Sequence, residues 1–133
     1  TENYRGEITD QEIEVRFDAS RAKDMPWEFI PLQDAIQVKL GETALVFYEA
    51  YNPTDKTISG QASFNIFPFS AGSYFSKIEC FCFVEQKLEP GERVKMPVTF
   101  YIDPDIIKNI ETKGIKTLTL SYTFYKLDDK LQS

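Results

Sequence analysis

The sequence predicts an all-β fold: an immunoglobulin-like antiparallel β-sandwich of about seven strands with one short helix. Three observations carry that expectation. Apolar and polar residues alternate through several short runs, turn residues recur roughly every 8–12 residues, and a single segment bears helix start and stop signals. A small closed barrel is the alternative architecture.

The elements follow in chain order. In EIEVRFD (12–18), Ile13, Val15 and Phe17 share one face and charged residues the other, the pattern of a half-buried strand. The following residues 18–33 read as a connection whose Trp27 and Phe29 cover one end of the core. AIQVKL repeats the alternation through Ile36, Val38 and Leu40, and Gly41-Glu42 turns the chain. ALVFYEAYN is a more continuously apolar strand that ends at the turn Asn52-Pro53-Thr54-Asp55. TISGQASFNIF comes next, with Gly60 as a candidate bulge. Pro68 and Ala71-Gly72 break the chain before SYFSKIECFCF, and Glu89-Pro90-Gly91-Glu92 forms another turn. RVKMPVTFYI directs Val94, Met96, Val98, Phe100 and Ile102 inward, and Pro97 implies an edge strand or an amide position facing out of the ladder. The helix signals come next: Asp103 as N-cap, Pro104 at the first position and Gly114 past the end. TLTLSYTFYKL (117–127) closes the chain as a strand.

Composition narrows the function classes. The 133 residues suit one domain, 1–133, and the 42% hydrophobic content supplies a core and argues against disorder. A net charge of −6 makes nucleic acid and anionic lipid poor partners. No apolar run approaches the ~20 residues that cross a bilayer. The chain starts at Thr1 without an initiator Met and reads as an excised domain, so a targeting or anchoring segment is expected before residue 1. With no histidine, Ser-His-Asp and Cys-His pairs and imidazole-ligated zinc cannot be assembled. No glycine-rich phosphate cradle is present, and the carboxylates are spread over polar faces and turns. The chain reads as a binding protein, not an enzyme.

The chemistry that remains lies in KIECFCFVEQ, which holds the two cysteines, Cys80 and Cys82. In an extended strand they share a face, with Phe81 and Phe83 opposite. Their Cα atoms then stand ~6.6 Å apart with parallel Cβ directions, so a disulfide would be strained. Both thiols could instead fill core space. Phenylalanine fills a core better, and if Phe81 and Phe83 pack inward the thiols face out. Exposed thiols are an oxidation liability unless used, and two thiolates on one face can converge on a soft metal. Without histidine, such a pair favours Cu(I), whereas zinc would want four ligands. Met25 and Met96 are possible third soft ligands, although strand alternation turns Met96 toward the core.

The surroundings of the thiols resemble the CtaG family of copper chaperones for cytochrome c oxidase assembly. The resemblance rests on Lys77, Ile78, Cys80 to Phe83, Glu85, Gln86, Leu88, Pro90 to Glu92, Met96 to Val98, Phe100, Asp103 and Pro104. VRFDA, PWEF with Pro31, YNPTD with Gly60 and Ala62, AG-x-YF and LSYTF extend it over most of the chain. It implies an immunoglobulin-like domain held at the membrane by an N-terminal helix, facing the bacterial periplasm or the mitochondrial intermembrane space. It also implies Cu(I) on Cys80 and Cys82, received from an upstream donor and delivered to the B-type copper site of the oxidase catalytic subunit. Copper-bridged homodimers belong to the same expectation. The anchor, and the cysteine that usually follows it, are absent from this sequence. Two other readings use the same residues: a thiol–disulfide protein that keeps partner copper-site cysteines reduced, and a metal-free scaffold for oxidase assembly. Tyr74 and Phe75 could form a partner-facing aromatic patch, though a core role is favoured.

Overall fold

The computed structural model describes residues 10–79 and 85–127. Its strands are β1 (Glu12–Arg21), β2 (Glu28–Pro31), β3 (Ala35–Lys39), β4 (Ala44–Tyr51), β5 (Ile58–Phe67), β6 (Phe75–Glu79), β7 (Gln86–Leu88), β8 (Arg93–Ile102) and β9 (Thr117–Lys126). They form two sheets, one ordered β3-β1-β9-β5-β7 and the other β2-β4-β8-β6. The result is an all-β sandwich. Pairing is antiparallel except between β1 and β9, which run parallel from Glu14–Thr117 to Arg21–Phe124. The first and last strands need no tight connection, so a parallel pair costs no crossover here.

Alternation builds the core as expected. Ile13, Val15 and Phe17 of β1 face Met96, Val98, Phe100 and Ile102 of β8 across the sandwich, with Leu118, Leu120, Tyr122 and Phe124 of β9 beside β1. Aromatic rings fill the centre: Phe29 stacks on Tyr48 at 5.4 Å, and Phe124 meets Phe29 edge-on at 4.7 Å and Trp27 at 5.2 Å. Such contacts add to area burial because ring edges and faces carry opposite partial charge.

Three expectations change, and for Pro97 one of two alternatives is decided. The segment 18–33 is not a plain connection, because β1 continues to Arg21 and Glu28–Pro31 pairs with β4 as β2. Gly60 is no bulge: β5 runs in unbroken register against β9 from Gly60–Lys126 to Phe67–Thr119, and the register shift lies in β6 between Lys77 and Glu79. Pro97 lies in a strand flanked by β4 and β6, but opposite Phe47, whose amide and carbonyl turn to Gln33 and Leu32 on the β2 side. No ladder bond to β4 is asked of the proline, so its outward-facing position is the reason it fits. The expected helix is a single 3-10 turn, Pro104–Ile107, followed by further turns. Asp103 accepts from Asp105 N–H at 2.9 Å, Asn109 from Glu111 N–H at 2.9 Å, and Thr112 Oγ1 donates to Ile106 C=O at 2.6 Å. These short polar side chains satisfy the backbone locally and compete with an α-helical ladder.

Tyr48 links the two sheets: its hydroxyl lies 3.2 Å from Leu120 C=O and 3.3 Å from Asp18 C=O. Burial pushes its ionisation far above the ordinary tyrosine range, with the neighbouring Tyr122 and Asp18 charges adding to it. Burial does the same to Tyr122. Both groups therefore stay protonated in the fold while the unfolded chain loses their protons above a pH of about 10. Their contribution is complete below that pH and declines as pH rises through it. Stability is expected to fall above pH ~10 by up to about 2.7 kcal/mol per pH unit for two protons. Tyr48→Phe should remove about half of that slope in urea unfolding series. An unchanged slope in Tyr48→Phe would show that this hydroxyl does not govern the alkaline limit.

Candidate metal centre

Cys80 and Cys82, with Phe81 and Phe83, lie outside the described residues, as does the facing expected of them. The elements on either side are described. Glu79 ends β6, the edge strand of the four-stranded sheet, where it pairs with Thr99 of β8. Gln86 begins β7, the edge strand of the five-stranded sheet, where it pairs with Gly60 of β5. Along the chain, the C-x-C sequence follows an edge strand of one sheet and precedes an edge strand of the other.

The shoulder after the thiols is tied down by a buried asparagine that sequence reading treated only as a turn residue. Asn52 is fully buried, and its Nδ2 donates to Lys56 C=O at 2.7 Å, Leu88 C=O at 3.0 Å and Glu89 C=O at 3.3 Å. Its Oδ1 accepts from Thr54 N–H at 3.0 Å and Thr54 Oγ1 at 2.7 Å. Its backbone completes the joint: Asn52 N–H donates to Glu92 C=O at 2.9 Å, and Gly91 N–H to Asn52 C=O at 2.8 Å. Glu92 N–H also donates to Glu89 C=O, with Pro90 second and Gly91 third in the turn at φ +76°. That is a type II turn, which needs glycine at its third position. The YNPTD and EPGE sequences are therefore one structural unit. The signal available in the sequence was the pairing of an Asx-turn with a Pro-Gly turn, but nothing in it states that the two touch.

The floor beneath β7 depends on a missing side chain. A Cβ at Gly60 would stand 2.6 Å from Met25 Cε and 3.1 Å from Trp27 Cη2 and Cζ3. Glycine lets the indole and thioether lie directly on β5 where it pairs with β7. Met25 and Met96 are each only 3% exposed, so both methionines belong to the core and neither is presented as a surface ligand. Phe75 is likewise buried, its ring 5.0 Å from Phe100, and the Tyr74 hydroxyl accepts from Asn109 Nδ2 at 3.0 Å. The favoured core reading holds for Phe75, while Tyr74 is half-buried and packs against the margin of the core. Among the described residues no group of three or more His, Cys, Asp or Glu could hold a metal ion. No helix among them is long and apolar enough to cross a membrane.

These features define a β-sandwich domain in which a two-thiol sequence joins two edge strands along the chain and a buried asparagine braces the end of the second. The family model for the cytochrome c oxidase assembly protein CtaG/Cox11 matches residues 1–126, and the chain belongs to that family. It is 61% identical over 122 residues to the cytochrome c oxidase assembly protein CtaG of Ruegeria sp. (strain TM1040), covering 92% of this chain and 63% of that relative. The protein of the same name from Cereibacter sphaeroides (strain ATCC 17025 / ATH 2.4.3) is 58% identical, with 92% and 64% covered. That of Rhizobium meliloti (strain 1021) is 55% identical, with 89% and 60% covered. The chain thus spans a little under two thirds of the length of these curated relatives.

Proposed function

We propose that this chain is the copper-carrying domain of an oxidase assembly protein, not an enzyme, and that it takes up Cu(I) on Cys80 and Cys82 for delivery to the oxidase catalytic subunit. The observation that supports the reading is the CFCF sequence, which joins β6 to β7 along the chain in a member of an oxidase assembly family. The donor set fits the cargo, because two thiolates without imidazole suit a soft monovalent ion. On binding, each thiol gives up its proton, since the thiolate is the ligand. Copper is received from an upstream donor and leaves by stepwise exchange, the B-type site ligands of the acceptor replacing these sulfurs while the two proteins are docked. The shared bracing of β7 keeps one shoulder of the site in place during exchange. Bacterial relatives support a periplasmic location, with the membrane reached through an anchoring segment outside these residues.

Anaerobic Cu(I) titration of wild type, Cys80→Ser and Cys82→Ser tests the reading. One copper per chain is expected for wild type. Each serine variant should stay folded and lose at least roughly 100-fold in affinity, more than the about 10–100-fold cost of losing a merely supporting group. Unchanged copper stoichiometry in the folded double-serine chain would refute it.

A further inference from the structure

The two outer faces of the sandwich differ. On the five-stranded sheet polar outward residues pair with one another, as in Ser20–Thr123 at 2.8 Å, Ser121–Asp18 at 3.1 Å and Ser63–Tyr125 at 3.2 Å, while Phe67 and Tyr125 are exposed apart from each other on β5 and β9. On the four-stranded sheet a row of apolar side chains runs among the outward charges. Leu45 is 56% exposed, Ile30 51% and Leu32 42%. Phe47 and Pro97 complete the stripe: Leu32 N–H bonds to Phe47 C=O, and Phe47 stands opposite Pro97. The stripe leads to the candidate metal centre, because Leu45 pairs with Thr99 and Thr99 with Glu79, the residue before Cys80.

We propose that this outer face of the four-stranded sheet is the surface on which the copper-accepting oxidase subunit docks, an inference that rests on the delivery role proposed above. Its size selects a transient partner. Strands spaced ~4.8 Å apart and 4, 8, 10 and 5 residues long offer about 430 Å² per partner. That is about 900 Å² in total, in the range of weak, short-lived encounters and below what a stable dimer needs. Its charge selects a different protein over a second copy. On β2, β4 and β8 the outward charges are Glu28 and Glu49 against Arg93 and Lys95, which cancel, while the chain as a whole carries −6. Arg93 is bonded to Glu49 at 2.8 Å and lies over the Tyr51 ring at 4.3 Å, so its charge is spent within the face. Two copies would bring −6 against −6, whereas an acceptor with an apolar centre and a neutral or basic rim meets no repulsion. Docking there places the acceptor beside the strand that runs into the thiols.

The test measures binding of the copper-free chain to the copper-depleted oxidase catalytic subunit held in nanodiscs. Ile30→Asp with Leu45→Asp should raise the half-saturating concentration at least tenfold, and Ile30→Ser with Leu45→Ser should raise it in the same direction. Ser63→Asp, on the opposite face, should leave it within twofold. Cu(I) stoichiometry and the thermal unfolding midpoint of the serine pair should match wild type. Equal binding by wild type and the folded serine pair would overturn the docking face, and so would an absence of binding by wild type. A chain that docks in this way but holds no copper would refute the copper reading and leave the docking face standing.

Discussion

Asn52→Ala is expected to lower folding stability by about 3–5 kcal/mol, a large share of the about 5–15 kcal/mol that holds a domain together. The substitution removes the amide that serves three carbonyls, those of Lys56, Leu88 and Glu89, and the oxygen that receives Thr54 N–H and Oγ1. Each buried carbonyl left without a donor costs about 1–3 kcal/mol, and water entering from the turn recovers only part of that. Asn52→Asp has the same shape and should cost at least as much at neutral pH, because a carboxylate oxygen then faces the carbonyl cluster. Urea unfolding midpoints of the two variants check this directly. A loss below about 1 kcal/mol in Asn52→Ala, the worth of one ordinary hydrogen bond, would mean that the two turns hold together without it. Since Leu88 ends β7, the damage should appear first as faster hydrogen exchange there, next to the candidate metal centre.

Cu(I) loading is expected to turn a monomer into a dimer at one copper per chain. One chain contributes two thiols and no histidine, so a single site cannot enclose the ion. Two chains meeting at their CFCF sequences would supply four sulfurs, enough for thiolates to bridge two copper ions between them. The −6 charge on each chain opposes that meeting, so the dimer should tighten as salt rises toward physiological strength, where the screening length is about 8 Å. Sedimentation of copper-free and loaded protein across a concentration series should show the mass doubling only in the loaded sample. A loaded species that stays monomeric at one copper per chain would require a ligand from within the chain. The burial of Met25 and Met96 leaves neither methionine placed to serve.

The candidate centre was legible in sequence because its signal is chemical and contiguous. CFCF with its EQ-x-L-x-PGE continuation occupies neighbouring positions and needs no fold to be noticed. The brace behind it was not legible. Asn52 and Leu88 lie 36 residues apart, and their contact exists only because β5 and β7 pair and bring the two turns together. Gly60 was noticed for the wrong reason, since a glycine within a strand signals either a bulge or a close approach. Trp27 and Met25, far off in sequence, make it the second.

Alternation by itself determined which residues of β1, β8 and β9 face inward, because a period of two is set by the pleat of each strand alone. Together with the turn residues it also indicated the all-β class and the turns at Gly41 and Gly91. Strand partners were a tertiary matter. Periodicity states which way a side chain points and says nothing of which strand lies alongside, so the parallel β1–β9 pair came from packing. So did β2, four residues ending in Pro31 that become a strand only against β4. The exposed stripe of Ile30, Leu32 and Leu45 has the same origin. Each is unremarkable in its own segment, and they form one surface only because β2 and β4 pair with those residues on the side away from the core.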